Sequence, residues 1–385
     1  MRTSARLPGS LEPNALTLEL SRLRSAGIEL LDLTLSNPIA AGLGYPGEAL
    51  LQALHAPQVQ DYSPDARGHH FTREAIALWH GRGVDPDQVL LTASTSEAYS
   101  WLFKLLGDPG DEVLVPSPSY PLFEWLARLE GLRALQVPAY FHERWNLDVD
   151  ALEAACTDRT RAIVAVNPNN PTGQFLSKTE WDDLTQLCHR KGLALLVDEV
   201  FGDYALEAPE DRMPTALEDP DPPCPVFVLS GLSKIAALPQ VKLGWILAQG
   251  AHAKSLMDPL AFIADQFLSV SATAQAAAPA LLQGAPAVQS RIRERLRANL
   301  SILDLALASH PHLSRLAVEG GWTVLLRIPA VESDEATALK LLCEAGVLVH
   351  PGHYFDLPGD GYLVLSLLTE EGAFREGLDR ILRHL

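Results

Sequence analysis

Three features of the chain predict an α/β fold: a mostly parallel central sheet followed by a smaller α+β unit. Short apolar runs alternate with amphipathic segments from Gln88 to Lys234, the pattern of strands covered by helices on both faces. Each run stops at a polar or turn-forming cluster. Near Ala280 the alternation gives way to one long helical pattern and two further apolar runs. At 385 residues the chain has room for two domains.

Taken in order, "NALTLELSRLRSAG" carries apolar residues at helical spacing and stops at Gly27, and "IELLDLTLSNP" reads as a short strand closed by Asn37-Pro38. "QVLLTAS" is a strand leading into the helix "SEAYSWLFKLL", and "DEVLVPSPSY" is a strand before the helix "PLFEWLARL". "RAIVAVNPNNPTG" is a strand ending in a turn, with the helix "KTEWDDLTQLCHRKG" after it; "LALLVDEVFGDY" and "PVFVLSGLSK" begin as further strands. The second part holds the long helix through "SRIRERLRANLSILDLALA", then "GGWTVLLRIP", another helix and "GYLVLSLL". The expected division is an N-terminal segment, 1–40, joining a small domain at 281–385, with a large domain at 41–280.

The 30 basic and 48 acidic residues give a formal net charge of −18 with no clustered Lys/Arg block, which argues against a nucleic-acid partner. Cys156, Cys188, Cys224 and Cys343 are scattered, without CxxC or Cys/His spacing, so no metal site is expected. No apolar run reaches membrane-spanning length and the first residues lack a signal-peptide core, so a soluble, cytoplasmic protein is expected.

In open α/β sheets, ligands bind beyond the carboxyl ends of the strands, and the unusual residues lie there. Ser94-Thr95-Ser96 stands before a helix, where hydroxyls cap the helix or, with free N–H groups, hold an anion. "NPNNPTG" is a turn by composition, longer and richer in Asn and Pro than a connector needs. Asp198 ends an apolar run, where a carboxylate needs a partner, and Lys234 follows another four residues past its end. A lysine amine forms Schiff bases, an acid pairs with a protonated ring nitrogen, and a helix N-terminus holds phosphate. Together these point to pyridoxal 5′-phosphate.

With "NPNNPTG", "DEV" and "SGLSK…LGW" in this order and spacing, the chain resembles a class I/II aminotransferase of the aspartate aminotransferase superfamily, fold type I, from "LDLTLSNP" to "GYLVLSLL". The resemblance implies a pyridoxal-phosphate transaminase that moves an amino group from an amino donor to a keto acid through a Lys234 Schiff base. It implies that Asp198 pairs with the ring nitrogen, Asn170 meets the phenolic oxygen and Tyr120 stacks on the ring. Ser94, Thr95, Ser96 and Ser233 would line the phosphate, and Tyr62 would reach the phosphate of a partner subunit, hence a homodimer. A lyase or decarboxylase of the same fold would share every one of these residues. A cofactor-binding regulator would need a basic DNA-binding segment that neither end supplies.

Three positions depart from the family pattern. Lys242 stands where relatives carry a phosphate-binding arginine, which keeps the charge and loses the fork. Phe201 replaces a tyrosine that donates to the phenolic oxygen, with Tyr204 close by. Val364 replaces the arginine that binds the substrate's α-carboxylate; His353 and Tyr354 are the nearest compensating donors by sequence, and an amine without an α-carboxylate is the other reading.

Overall fold

The computed structural model describes residues 3–56 and 63–385. Seven strands form the central sheet in the order Val89–Thr92, Gly244–Gln249, Val226–Gly231, Ala194–Asp198, Thr160–Val166, Glu112–Ser117 and Arg133–Pro138. Five adjacent strands pair in parallel, while Gly244–Gln249 runs antiparallel to both of its neighbours. The sequence pattern does not mark the strands Arg133–Pro138 and Gly244–Gln249. The first is interrupted by the polar Arg133 and Gln136, and the second is joined to its partner through 232–243, which holds only the short helix Leu232–Ile235.

The apolar runs are continuous because both sheet faces are covered. Leu195, Val197, Val226 and Val228 enter one core; the alternating Ala194, Leu196, Phe227 and Leu229 enter another on the opposite face. Trp245 is buried with its indole N–H donating to His80 Nε2 at 3.0 Å. Burial pushes His80 down to about 4, so its ring is neutral and able to accept.

The second unit is built on a four-stranded antiparallel sheet ordered Ser314–Arg315, Thr323–Arg327, Tyr362–Ser366 and His350–Pro351. Leu16, Leu23 and Leu33 pack into its core, and Leu31 and Asp32 pair in parallel with Val347 and Leu348. The helix Ala272–Leu307 runs unbroken through both units. Ala274 to Ala285 pack under the central sheet, and Val288 to Leu303 pack in the small-sheet core. Its start is fixed by Ser271, whose hydroxyl accepts from Ala274 N–H at 3.2 Å.

The sheet order sets out the candidate site. The segments leaving Val89–Thr92, Val226–Gly231, Ala194–Asp198 and Thr160–Val166 emerge at one edge. Gly244, first residue of the reversed strand, lies at that edge too, opposite Thr92 and Gly231.

Candidate active site

Lys234 sits in the short helix Leu232–Ile235, directly after its strand. Its Nζ lies 4.9 Å from the ring centroid of Trp322 and 5.5 Å from that of Phe201. The two rings meet edge to face at 5.3 Å, and Tyr204 packs on Trp322 at 5.1 Å. Burial in this aromatic corner pushes the amine down to about 8, opposed by the charge of Asp198. A lysine held near neutrality is a usable nucleophile and proton carrier.

Asp198, the last residue of the adjacent strand, is buried. One carboxylate oxygen accepts from the Tyr99 hydroxyl and the other from Val200 N–H, both at 3.1 Å. Burial raises its pKa to about 6 despite those bonds and the nearby Lys234. A carboxylate so desolvated is short of positive charge, and the protonated ring nitrogen of a pyridine would supply it. The neighbouring Glu199 is spoken for by the Thr215 hydroxyl and Ala216 N–H, each at 2.6 Å.

The structure separates the three asparagines of "NPNNPTG". Asn167 stitches the turn to its surroundings: its amide donates to Met213 O and its oxygen accepts from Leu176 N–H, both at 2.9 Å. Its backbone N–H donates to Asp198 O at 2.8 Å, which holds the turn against the aspartate strand. Asn169 accepts from the Thr172 hydroxyl at 3.0 Å. Asn170 is half-buried with a single long contact from Thr323, 3.5 Å, which leaves its side chain open to a ligand. Gly173, at φ +72°, brings the small sheet onto this turn: Gly320 N–H donates to its carbonyl at 2.9 Å, and a Cβ at Gly173 would stand 2.7 Å from Gly320 O. The Gly320-Gly321 pair thereby delivers Trp322 to Lys234.

Ser94 caps the helix Thr95–Leu106, its hydroxyl accepting from Glu97 N–H at 3.2 Å. Thr95 and Ser96 occupy the first turn, where backbone N–H groups have no partner within the helix. This end abuts the other strand ends. A Cβ on Gly244 would stand 3.1 Å from Ser230 O and 3.2 Å from the carbonyl carbon of Ser94. Lys242, two residues before Gly244, is exposed with φ +58° and has no hydrogen bond among the described residues. A capped helix start, the Ser233 hydroxyl in the short helix Leu232–Ile235 and this exposed lysine are the kinds of donor that hold a phosphate.

Tyr120 is half-exposed in a cleft with Trp125, Gln136 and Asp356. Tyr204 donates its hydroxyl to the Lys234 carbonyl at 2.6 Å, so that group is committed to the backbone. His353 is exposed. Tyr62 lies outside the described residues. Tyr99 and Trp322 carry little mark in the sequence. Their signals were faint: a tyrosine inside an amphipathic helix, and a double glycine ahead of a tryptophan at a strand start.

The family model for aminotransferase class I and II matches residues 46–381. The chain belongs to this family. It is a fold-type I, pyridoxal 5′-phosphate-dependent aminotransferase, moving an amino group from an amino donor to a keto acid. It is 28% identical over 375 residues to alanine aminotransferase of Mycobacterium tuberculosis, covering 94% of this chain and 86% of the relative. It is 30% identical over 325 residues to an arginine–pyruvate transaminase of Pseudomonas aeruginosa, covering 82% and 80%. Alanine aminotransferase of Pyrococcus furiosus superposes with a TM-score of 0.87 at 27% identity, covering 99% of each chain.

Proposed function

We propose that Lys234 is the lysine that binds the cofactor and that the donor and acceptor are an α-amino acid and a 2-keto acid. The observation that carries the site assignment is the placement of Lys234 Nζ in a buried aromatic corner beside the strand that ends in Asp198. The relatives named for alanine, and for arginine with pyruvate, support the substrate class. When bound, pyridoxal 5′-phosphate supplies a carbonyl that captures amines and a ring that withdraws electrons. Asp198 would hold the proton on the ring nitrogen, and Asn170 would donate to the phenolic oxygen. Ser94, Thr95, Ser96, Ser233 and Lys242 would hold the phosphate. Once a substrate amine has displaced it, the Lys234 amine would carry the proton taken from the substrate's α-carbon. Tyr120 as the stacking residue and Tyr62 as a donor to the partner's phosphate remain part of the proposal, on the family resemblance.

The test is a screen of α-amino acids and simple amines against 2-keto acids, with the cofactor's absorbance followed. An amino acid should convert the cofactor to its amine form, and a keto acid should restore it. Release of carbon dioxide or a split product without restoration would refute the transaminase assignment.

Lys242→Ala should weaken retention of the cofactor roughly tenfold or less, because the helix N-terminus and hydroxyls share the load. Lys242→Arg should retain it. Dialysis against phosphate buffer with absorbance readout measures both, and unchanged retention in the alanine variant counts against a phosphate contact.

A homodimer and a cytoplasmic location are proposed with the same reading. Phe262 and Phe267 are exposed near a cavity lined by Asp65, His69, Trp101 and Ser269, an apolar patch suited to a second copy. Among the described residues no helix is long and apolar enough to cross a membrane. The division of the chain at residues 40 and 280 is kept on the same footing.

A further inference from the structure

The absence of an arginine at Val364 leaves a question of how a substrate carboxylate is held, and the surroundings narrow it. Val364 is 1% exposed and sits between Leu325 and His350 in the small sheet. It packs with Leu316, Leu325, Phe355, Leu357 and Trp145, an apolar cluster. Two basic residues beside this cluster, His350 and Arg144, are poorly placed to replace the guanidinium. His350, the cross-strand partner, is pushed toward the neutral form by burial, with the charge of Asp32 opposing. Arg144 is ion-paired to Glu319, Nε to Oε1 2.8 Å, and donates to Phe175 O at 2.8 Å. The Tyr354 hydroxyl is a second buried donor without a partner among the described residues, and burial raises its pKa, with the charge of Glu335 adding to the effect.

Trp322 is different. It is 2% exposed, its ring stands 4.9 Å from Lys234 Nζ, and its Nε1 has no hydrogen-bond partner among the described residues. An indole N–H can only donate, and an unpaired buried donor is the kind of group that a ligand completes. Trp145 Nε1 is also unpaired among the described residues, but that ring belongs to the apolar cluster around Val364.

We propose that Trp322 Nε1 is the donor that binds the substrate's carboxylate, in place of the guanidinium missing at Val364. This deepens the α-amino-acid reading above and rests on it. A neutral N–H donating to a charged acceptor makes a stronger bond than one between neutral groups, yet it supplies no countercharge. The native site should therefore recognise a carboxylate less strongly than a guanidinium would, and adding one should improve it.

The test uses the holoenzyme and two ligands that differ only in this group: 2-aminoisobutyrate and tert-butylamine. Neither carries a hydrogen on the amine-bearing carbon, so calorimetry reads binding without proton transfer. Trp322→Phe should weaken 2-aminoisobutyrate by roughly tenfold and leave tert-butylamine within about twofold. The unchanged amine serves as the control for an intact fold. Val364→Arg should strengthen 2-aminoisobutyrate in both the native and the Trp322→Phe background. Equal loss for both ligands in Trp322→Phe would mean a packing role and overturn the proposal. So would no loss for either, or native enzyme that binds tert-butylamine as tightly as 2-aminoisobutyrate; the last result would favour an amine substrate without a carboxylate. Failure of the site reading itself shows separately, as a cofactor that borohydride does not fix on Lys234.

Discussion

Lys234→Ala is expected to abolish turnover, lowering it by at least about 10³-fold, since one amine both anchors the cofactor and carries the proton. The reason is structural as well as chemical. Burial pushes the Lys234 amine down to about 8, and it lies against Trp322 and Phe201 at 4.9 and 5.5 Å. Borohydride reduction of the native holoenzyme should fix the cofactor to a peptide containing Lys234, and the alanine variant should lose both the label and the absorbance of the bound form. Label on a different lysine, with activity retained in Lys234→Ala, would overturn the assignment.

Asp198→Asn is expected to lower turnover by roughly 10²–10⁴-fold, the scale of losing one partner of a buried charge pair, about 3–5 kcal/mol. In cofactor-free protein the same change should act in the opposite direction on stability. Burial raises the carboxyl from 3.8 to about 6 in the native state. A group raised in this way favours the native state only below its unfolded value, and that contribution is lost as pH rises through about 6. Asparagine keeps an acceptor for Val200 N–H, and its amide can donate to the Tyr99 hydroxyl, so the two contacts at 3.1 Å can be reproduced. The variant without cofactor should therefore gain in melting temperature relative to native protein between pH 4 and pH 8. A difference that stays constant across that range would show that the buried carboxyl is not the titrating group, while a loss of turnover under about tenfold would remove Asp198 from the ring nitrogen.

Much of this was legible along the chain. A parallel sheet covered on both faces writes its strands as unbroken apolar runs, and its ligand site falls where those runs stop. Ser94, Asn170, Asp198 and Lys234 were therefore visible as polar residues at strand ends. Lys242 and Gly244 were visible only as a motif. What joins them to the others is the reversal of Gly244–Gln249 and its insertion between Val89–Thr92 and Val226–Gly231, a pairing that no local pattern encodes.

The departures show the same limit from the other side. Phe201 and Val364 could be recognised as substitutions, but whether a nearby residue makes good the loss depends on where side chains point. Tyr204, three residues from Phe201, spends its hydroxyl on the Lys234 carbonyl. Trp322, far along the chain, stands over the lysine because Gly320 hydrogen-bonds to Gly173 and carries the small sheet onto the Asn-Pro turn.

By itself the sequence determined the alternation of strands and helices, the chemistry at the strand ends and the three departures from the family pattern, because apolar periodicity and residue type are local properties. Tertiary structure alone decided which of three asparagines is open, that Asp198 is desolvated beside Tyr99, and that an unpaired indole closes over Lys234. Those are outcomes of burial and hydrogen-bond pairing between segments distant in sequence, and they exist only once the two sheets have packed together.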